Sequence, residues 1–304
     1  MSENGGEDPV SQTEAGQAMP PTRKMSKTPM FSAIHSARYS RQELIKAIDR
    51  KERTSLICYV AGAGTEIDRD DVLGFIDLLH NIGPGQPVDL MLHTCGGDVD
   101  ACEKLIRLIQ ANVGEAPLRV IIPDMAKSAG TLIALAAQMI ILSESSELGM
   151  IDPQFEIQDR RGNAVWYSVV SYLKAYDDYV GMLSTNPKDT LALAMLEDFD
   201  AKTVAKFRGI LDRVRVLAEG LLKSNQNPRY TAIAYELMDS TTWRTHGQPV
   251  RHADAHQIGL PVESVPMHSE RWQRYWMLYC LQREEIGRDG KIFESAFVSQ
   301  TVPR

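Results

Sequence analysis

The sequence predicts an α/β fold with a largely parallel sheet, and two observations support this prediction. Four continuous apolar runs of strand length occur between residues 55 and 143, and such runs are typical of strands buried on both faces. Between them, apolar residues recur at helical spacing, as in DRDDVLGFIDLLHNI. Strands that alternate with helices favour right-handed crossovers and therefore parallel neighbours.

The elements follow one another in a regular order. A short capped helix, SRQELIKAIDRKE, precedes the first strand, and GPGQP ends the second helix. The third helix carries an apolar stripe that includes Val99, Cys102, Leu105, Ile106 and Ile109. In chain order the four predicted strands are SLICYVAG, PVDLMLHT, LRVIIP and MIILS, and the helix before the last of them is SAGTLIALAAQ. This repeated βα rhythm predicts the core of the molecule.

The chain divides into three predicted regions. Residues 1–30 are polar and rich in Gly, Pro, Ser and Glu, so we expect a disordered tail. Residues 39–265 form the main domain, whose pattern becomes helical from Ala164 onward. Residues 266–304 are predicted to be a helical extension, in which the aromatic segment RWQRYWMLYC serves as core or as a contact between subunits.

Composition excludes several classes of function. A net charge of −7 and the lack of a Lys/Arg cluster argue against a nucleic-acid partner. No signal peptide or membrane span is apparent, and the four cysteines show no paired spacing, so we expect a cytoplasmic protein with reduced thiols. His252 and His256 have the spacing of two metal ligands but lack a zincin Glu and a third ligand, so no metal or other cofactor is predicted.

Two glycine-containing turns each follow a predicted buried strand and open a helix. They are HTCGGDVDA and AKSAGT, and the second contains Ser128. A serine before an apolar helix is first of all an N-cap. The same turns also expose backbone N–H groups that can stabilise an oxyanion, and Gly97 lets the backbone approach a substrate closely. The residues alone leave both interpretations open.

Four ordered motifs together resemble the Clp-type serine protease superfamily, whose fold is crotonase-like. They are HTCGG, AKSAGT, LGMIDPQ and THGQPVRHADAHQIGLPV, and they extend the resemblance over about Ser55 to Val265. Within that superfamily the chain is most similar to the serine dehydrogenase proteinase type. The resemblance implies that Ser128 is a nucleophile, that the amides of Gly97 and Ala129 form an oxyanion hole, and that Gly96 shapes the site.

The resemblance is incomplete at the general base. Cys95 stands where the family usually has proline, and Asp152 stands where the Clp proteolytic subunit has its histidine. No histidine occurs between His93 and His246, which argues against the usual Ser-His-Asp order. We therefore expect the Ser-Lys arrangement of the signal peptide peptidase A type, with Asp152 shaping the site.

Lys174 lies at the position that this Ser-Lys arrangement implies. Its alternative role is a solvent-facing charge that pairs with Asp177 or Asp178 at helical spacing. Lys127 is the second candidate, although its position beside Ser128 fits a structural or substrate-positioning role equally well.

The sequence therefore predicts a serine peptidase that acts on peptides or proteins. Members of the superfamily assemble into closed rings, so the resemblance implies a homo-oligomer. Two alternatives remain: a noncatalytic scaffold that retains the fold, and an acyl-CoA enzyme, for which no basic phosphate pocket is evident. Cys95 is a further, less favoured nucleophile, because a thiol needs a base or positive charge nearby.

Overall fold

A computed structural model describes residues 27–158 and 163–303, and these residues separate into two compact units. The first unit ends at Ala37. It contains helix α1, Pro29–Ile34, whose Phe31 amide donates to the side chain of Thr28. Most of the predicted disordered tail lies outside the described residues, and its last two residues, Pro29 and Met30, belong to α1.

The second unit, from Arg38 onward, contains the predicted α/β core. Its strands are β1 (Ser55–Ala61), β2 (Val88–His93), β3 (Leu118–Ile121), β4 (Met125–Ala126), β5 (Met139–Leu142), β6 (Glu147–Leu148), β7 (Gln154–Gln158), β8 (Ala164–Ser168), β9 (Val250–Arg251), β10 (Val262–Ser264), β11 (Lys291–Ser295) and β12 (Ser299–Val302). Its helices are α2 (Ser36–Glu52, which begins in the first unit), α3 (Asp71–His80), α4 (Val99–Val113), α5 (Ala129–Leu135), α6 (Val169–Thr185), α7 (Thr190–Leu196), α8 (Ala201–Ser224), α9 (Tyr230–Leu237), α10 (His252–Ile258) and α11 (Glu270–Ile286).

A seven-stranded sheet forms the centre of this unit, in the order β10-β5-β3-β2-β1-β11-β12. The five strands from β10 to β1 run parallel, and β11 and β12 join antiparallel at the β1 edge. The predicted α/β class with a mainly parallel sheet is therefore confirmed.

Both faces of the sheet are covered, as the continuous apolar strands predicted. Along β1, Ile57 and Tyr59 belong to one hydrophobic cluster, while Cys58 and Val60 belong to a second cluster on the opposite face. Successive side chains of a strand point to opposite faces, so a strand between two layers of helices must be apolar at every position. The predicted helices after β1 and β2 correspond to α3 and α4.

The structure differs from the sequence prediction in two segments. Residues 164–168, where a helical region was expected to begin, form β8, which pairs antiparallel with β7. The region 266–304 is not helical throughout, because α11 is followed by β11 and β12. β8 pairs with β7 a few residues before it, whereas β11 pairs with the distant β1 and with the adjacent β12. Strands this short depend on their packing partners, so hydrophobic periodicity alone does not reveal them.

The aromatic part of α11 lies mainly in the core of the protomer. Trp272, Tyr275 and Tyr279 are buried in the hydrophobic cluster that also contains Cys58. The core role that the sequence allowed for these aromatic residues is therefore the one they have.

A separate sheet of three short strands adjoins the motif segments that the sequence analysis selected as the candidate site. β4 pairs parallel with β6, and β6 pairs antiparallel with β9. Each of these strands has only two residues, so the loops before and after it begin directly at the paired positions.

Candidate active site

Ser128 lies at the junction of β4 and α5 in an unusual backbone conformation. Its φ is 49° and its ψ is −111°, in the region of positive φ that residues with a Cβ rarely adopt. Such conformations cost about 1–3 kcal/mol and persist only where the surrounding structure imposes them. They are concentrated at functional sites.

The hydroxyl of Ser128 does not perform the capping role that its position suggested. Ser128 is the N-cap residue of α5, but its side chain makes no capping hydrogen bond. The residue is only partly buried, whereas Lys127 and Ala129 on either side are buried. The hydroxyl is thus accessible and uncommitted among the described residues, as a nucleophile requires.

The HTCGG segment lies directly against Ser128. The Thr94 amide donates to the Met125 carbonyl at 3.0 Å, and the Lys127 amide donates to the Thr94 carbonyl at 3.1 Å. A Cβ atom added to Gly96 would lie 3.0 Å from the Cβ of Ser128, and its φ of 114° also favours glycine. These contacts fix the loop that contains Gly96 and Gly97, here called the glycine loop, beside Ser128.

Gly97 and Ala129 are the residues whose amides the sequence analysis predicted to form an oxyanion hole. Gly97 has a φ of 143°, and a Cβ there would overlap the backbone of Ile67, so this position requires glycine. No hydrogen bond within the described part of the chain uses the Gly97 or the Ala129 amide. Backbone amides without an internal acceptor can stabilise negative charge on a carbonyl oxygen, and this role stays a prediction for Gly97 and Ala129.

His93 anchors the strand that leads into the glycine loop. Its Nδ1 lies 2.8 Å from the Ala61 carbonyl, and its Nε2 lies 3.3 Å from Asp124. The hydrogen bond with His93 holds the pKa of Asp124 below its usual value. Because both ring nitrogens are engaged and the ring is buried, we assign His93 a structural role.

Cys95 is a poor alternative nucleophile. Burial raises the pKa of its thiol above the ordinary value, which favours the unreactive protonated form. Its Sγ lies 3.9 Å from the Ala63 carbonyl, and the residue lines a cavity of about 990 Å³ together with Asp98 and Trp166. The cavity therefore borders the glycine loop.

The two lysines predicted from the sequence both lie in ion pairs. Lys127 is buried, with its Nζ 2.8 Å from Glu147 and 3.1 Å from the Leu148 carbonyl. Lys174 is exposed on α6, and its Nζ lies 3.4 Å from Asp178. This arrangement is the solvent-facing alternative considered for Lys174, and among the described contacts neither lysine bonds to Ser128.

Asp152 is buried, with 1% of its surface exposed. Its Oδ1 accepts a long hydrogen bond of 3.4 Å from the Val170 amide at the start of α6. Its Oδ2 lies 3.6 Å from Nδ1 of His246, a residue that the sequence analysis did not select. The only signal in the sequence was that Asp152 and His246 both lie within the motifs that carry the family resemblance.

The two histidines with metal-ligand spacing, which the sequence analysis did not assign to a metal site, belong to one short helix. His252 and His256 both lie on α10, where His256 is exposed. Within residues 27–158 and 163–303, no group of three or more His, Cys, Asp or Glu side chains has an arrangement suited to a metal ion.

Comparison with known proteins identifies the family of this chain. A family model described as ClpP-like SDH-type serine proteinase matches residues 17–273, which is most of the chain, and the protein therefore belongs to this family.

Curated relatives cover only part of the sequence. The uncharacterized protein MJ0137 of Methanocaldococcus jannaschii is 31% identical over 179 residues, which is 59% of this chain and 54% of that protein. MJ1495 of the same organism is 28% identical over 178 residues, or 59% of this chain and 52% of that protein. The chain thus spans about half the length of the curated relatives it matches.

Solved structures show more distant similarity. Two mutants of the 1510-N membrane-bound stomatin-specific protease, one in complex with a substrate peptide, align with TM-scores of 0.41 and 0.40 at 16% and 14% identity. They cover 66% and 71% of this chain and 75% and 93% of their own. ClpP1 from Listeria monocytogenes aligns with a TM-score of 0.37 at 15% identity, covering 72% of this chain and 95% of its own.

No helix among the described residues combines the length and apolar character needed to cross a membrane.

Proposed function

We propose that this serine peptidase uses Ser128 as its nucleophile and cleaves peptide bonds in peptides or proteins. The observation that carries the proposal is the conformation of Ser128, whose strained backbone presents an uncapped hydroxyl beside the glycine loop. If this serine served only as a helix cap, a capping hydrogen bond would be expected to offset the backbone strain, and its side chain makes no such bond.

The proposed oxyanion hole consists of the Gly97 and Ala129 amides. When Ser128 attacks the scissile carbonyl, negative charge develops on the carbonyl oxygen, and preorganised N–H groups stabilise it. Loss of one such donor typically lowers kcat by about 100- to 1,000-fold. Gly96 permits the close approach of the loop to Ser128.

The general base predicted from the sequence is Lys174, and this assignment stays a prediction. A lysine that accepts a proton from serine must be uncharged, whereas Lys174 forms an ion pair with Asp178 and half of its side chain is exposed. Lys174 would have to leave Asp178 and become buried to act. Lys127 would likewise have to leave Glu147.

The substrate cleft, assembly and location form part of the same proposal. The cavity of about 990 Å³ is the proposed entry for substrate: it borders the glycine loop at Cys95, and its lining includes the exposed Trp166 but not Ser128 itself. We place the enzyme in the cytoplasm as a homo-oligomeric ring.

A noncatalytic scaffold is the competing function, favoured by the engagement of both lysines in ion pairs.

Labelling with a fluorophosphonate probe tests the nucleophile. We expect covalent modification of the wild-type protein at Ser128, mapped by peptide mass spectrometry, and its complete loss in Ser128→Ala. Ser171→Ala, which changes an exposed serine on α6, is the matched control and should be labelled normally. Hydrolysis of a fluorescent casein should follow the same pattern.

Two results would count against the proposal. An intact, folded wild-type protein that neither reacts with the probe nor hydrolyses casein favours the scaffold. Labelling that persists in Ser128→Ala assigns the nucleophile to another residue.

A further inference from the structure

The cavity that borders the glycine loop lies outside the carboxyl ends of β1 and β2 in the central sheet. Val60 pairs with His93, the last residue of β2, and Ala61, the last residue of β1, pairs with Lys291. Lys291 pairs in turn with Val302 at the end of β12. Segments just beyond these strand ends line the cavity. In open α/β sheets, ligands bind in the crevice outside the carboxyl ends of the strands.

The size of this crevice suits an extended peptide. The strands from β2 to β12 are separated by three spacings of about 4.8 Å each, or roughly 14 Å. That width equals the length of about four residues of extended chain. β12 is also an edge strand with one neighbour, and such strands present unpaired backbone groups to which an extended peptide can bind.

One wall of the cavity leads directly to the glycine loop. The Ile67 amide donates to the Gly96 carbonyl at 2.7 Å, so the segment after β1 is hydrogen-bonded to that loop. Glu66 precedes Ile67 in this segment. A Cβ at Gly64 would collide with the carboxylate of Asp289, which places this side chain against the same wall. A peptide that reaches the glycine loop through the cavity therefore passes Glu66 and Asp289.

Carboxylates dominate the charge of the lining. Lys291 is the one lysine or arginine among the residues that line the cavity, and it is buried. Its Nζ lies 2.7 Å from Asp68 and 2.8 Å from Asp71, so its charge is already compensated. The six acidic residues of the lining are Glu66, Asp68, Asp70, Asp71, Asp98 and Asp289.

Three of these carboxylates are available to a ligand. Glu66, Asp70 and Asp289 are exposed, and none of them forms an ion pair among the described contacts. Asp98 differs, because its side chain accepts hydrogen bonds from the first amides of α4. The free charge that faces the cavity is therefore negative.

Exposed apolar side chains complete the lining. Leu73, Trp166 and Val302 are 67%, 58% and 42% exposed, and all three line the cavity. Lysine and arginine pack their apolar stems on such surfaces while the charged head stays at the polar rim. The face of a tryptophan also attracts a cation. Apolar walls with a rim of carboxylates fit a long basic side chain.

We infer that this cavity binds an extended segment of the substrate through basic side chains, so that the enzyme prefers peptides that carry Lys or Arg. The inference rests on the proposed function and adds a substrate class to it. An anionic ligand, such as the phosphates of CoA, would instead meet uncompensated carboxylates, and like charges oppose binding.

Peptide binding to the Ser128→Ala protein tests the inference without cleavage of the probe. Two fluorescein-labelled peptides, one of alternating Ala and Lys and one of alternating Ala and Glu, are titrated with the full-length variant and followed by fluorescence anisotropy. We expect the Lys peptide to bind about tenfold more tightly or better at low salt, and the difference to shrink as salt is added.

Paired substitutions separate the cavity from the general negative charge of the protein. In the Ser128→Ala background, Glu66→Gln with Asp289→Asn should weaken binding of the Lys peptide by about tenfold. Glu115→Gln with Asp77→Asn removes the same charge from exposed positions outside the lining, and this control should stay within about twofold. Glu66→Lys with Asp289→Lys should reverse the preference between the two peptides. Circular dichroism establishes that each variant folds.

The outcomes are distinct from those that test the nucleophile. Equal affinity for the Lys and Glu peptides overturns the substrate class, and so does an equal loss in the two paired variants. If Ser128 reacts with the fluorophosphonate but no preference for the Lys peptide is found, the peptidase stands and the substrate class is wrong. If Ser128 is never labelled but the preference and its loss in the Glu66 and Asp289 variant are found, the cavity is a site for basic peptides in a protein without the proposed activity.

Discussion

At the scale of single residues, the site depends on conformations that only particular side chains tolerate. Ser128 adopts positive φ without the compensation of a capping bond, and the neighbouring loop needs glycine at Gly96 and Gly97. A Ser-Ala-Gly sequence before an apolar helix is equally consistent with an ordinary cap. The backbone angles and the free hydroxyl, which no sequence pattern encodes, favour the nucleophile.

Substitution of Gly96 tests how closely the loop must approach Ser128. In Gly96→Ala the new methyl group would lie 3.0 Å from the Ser128 Cβ and 3.1 Å from the Lys127 carbonyl, so either the loop or the serine must move. We expect a loss of about 100-fold or more in probe labelling rate and kcat, because small misplacements of reacting groups are costly.

Gly85→Ala is the matched control for this substitution. Gly85 also has positive φ, at 75°, but a Cβ there meets nothing within 4 Å. Both variants should lose about 1–2 kcal/mol of stability from backbone strain, measured by urea unfolding. Only Gly96→Ala should lose activity, and equal labelling rates for the two would show that the loop is not part of the site.

At the scale of elements, the connection between α2 and β1 contains a partly buried polar contact. Asp49 near the end of α2 accepts a hydrogen bond of 2.8 Å from the Leu56 amide at the start of β1. Burial raises the pKa of Asp49 to about 6, above the value of about 3.9 expected in an unfolded chain. The folded protein therefore binds this proton more tightly than the unfolded chain does.

The sign of the resulting pH dependence follows from linkage. Where the folded state binds more protons, the free energy of unfolding decreases as pH rises, here from about 4 to about 6. Asn can accept the same Leu56 bond without carrying a charge. Asp49→Asn should therefore be more stable than wild type at pH 7.5, with the difference shrinking towards pH 4.

Urea unfolding at a series of pH values measures the Asp49 effect. Asp77→Asn, which removes an exposed carboxylate from α3, controls for the change in net charge. A difference between Asp49→Asn and wild type that stays constant across this pH range would contradict the assignment of the proton to Asp49.

At the scale of the whole molecule, the α11 helix has both a core face and an outward face. Trp272, Tyr275 and Tyr279 are buried within the protomer. Met277 and Leu281, four residues apart, remain 56% and 38% exposed. In the proposed ring, these two exposed apolar side chains of α11 are available for a contact between subunits.

A double substitution on this face tests the assembly. Met277→Glu with Leu281→Glu should leave the fold unchanged but shift the mass measured by native mass spectrometry toward that of the protomer. The new carboxylates would repel one another across the interface, and the interface would lose its apolar contact. Val216→Glu, at an exposed apolar position on α8, is the matched control. An unchanged oligomer in the double variant would remove α11 from the interface, and a monomeric wild type would contradict the ring.

The sequence by itself determined the α/β core, because strands buried on both faces must be apolar throughout and the helices between them carry an apolar stripe. Its four motifs, through their resemblance, also indicated the family, and they implied site roles for Ser128, Gly97 and Ala129 that stay predictions. Only the tertiary structure decided that β11 and β12 complete the sheet, that Lys174 faces solvent, and that Asp152 meets His246. The physical reason is that hydrophobic periodicity reports only which face of an element is buried. The two-residue strands, and the contact between Asp152 and His246, which lie 94 positions apart, depend instead on how distant parts of the chain come together in space.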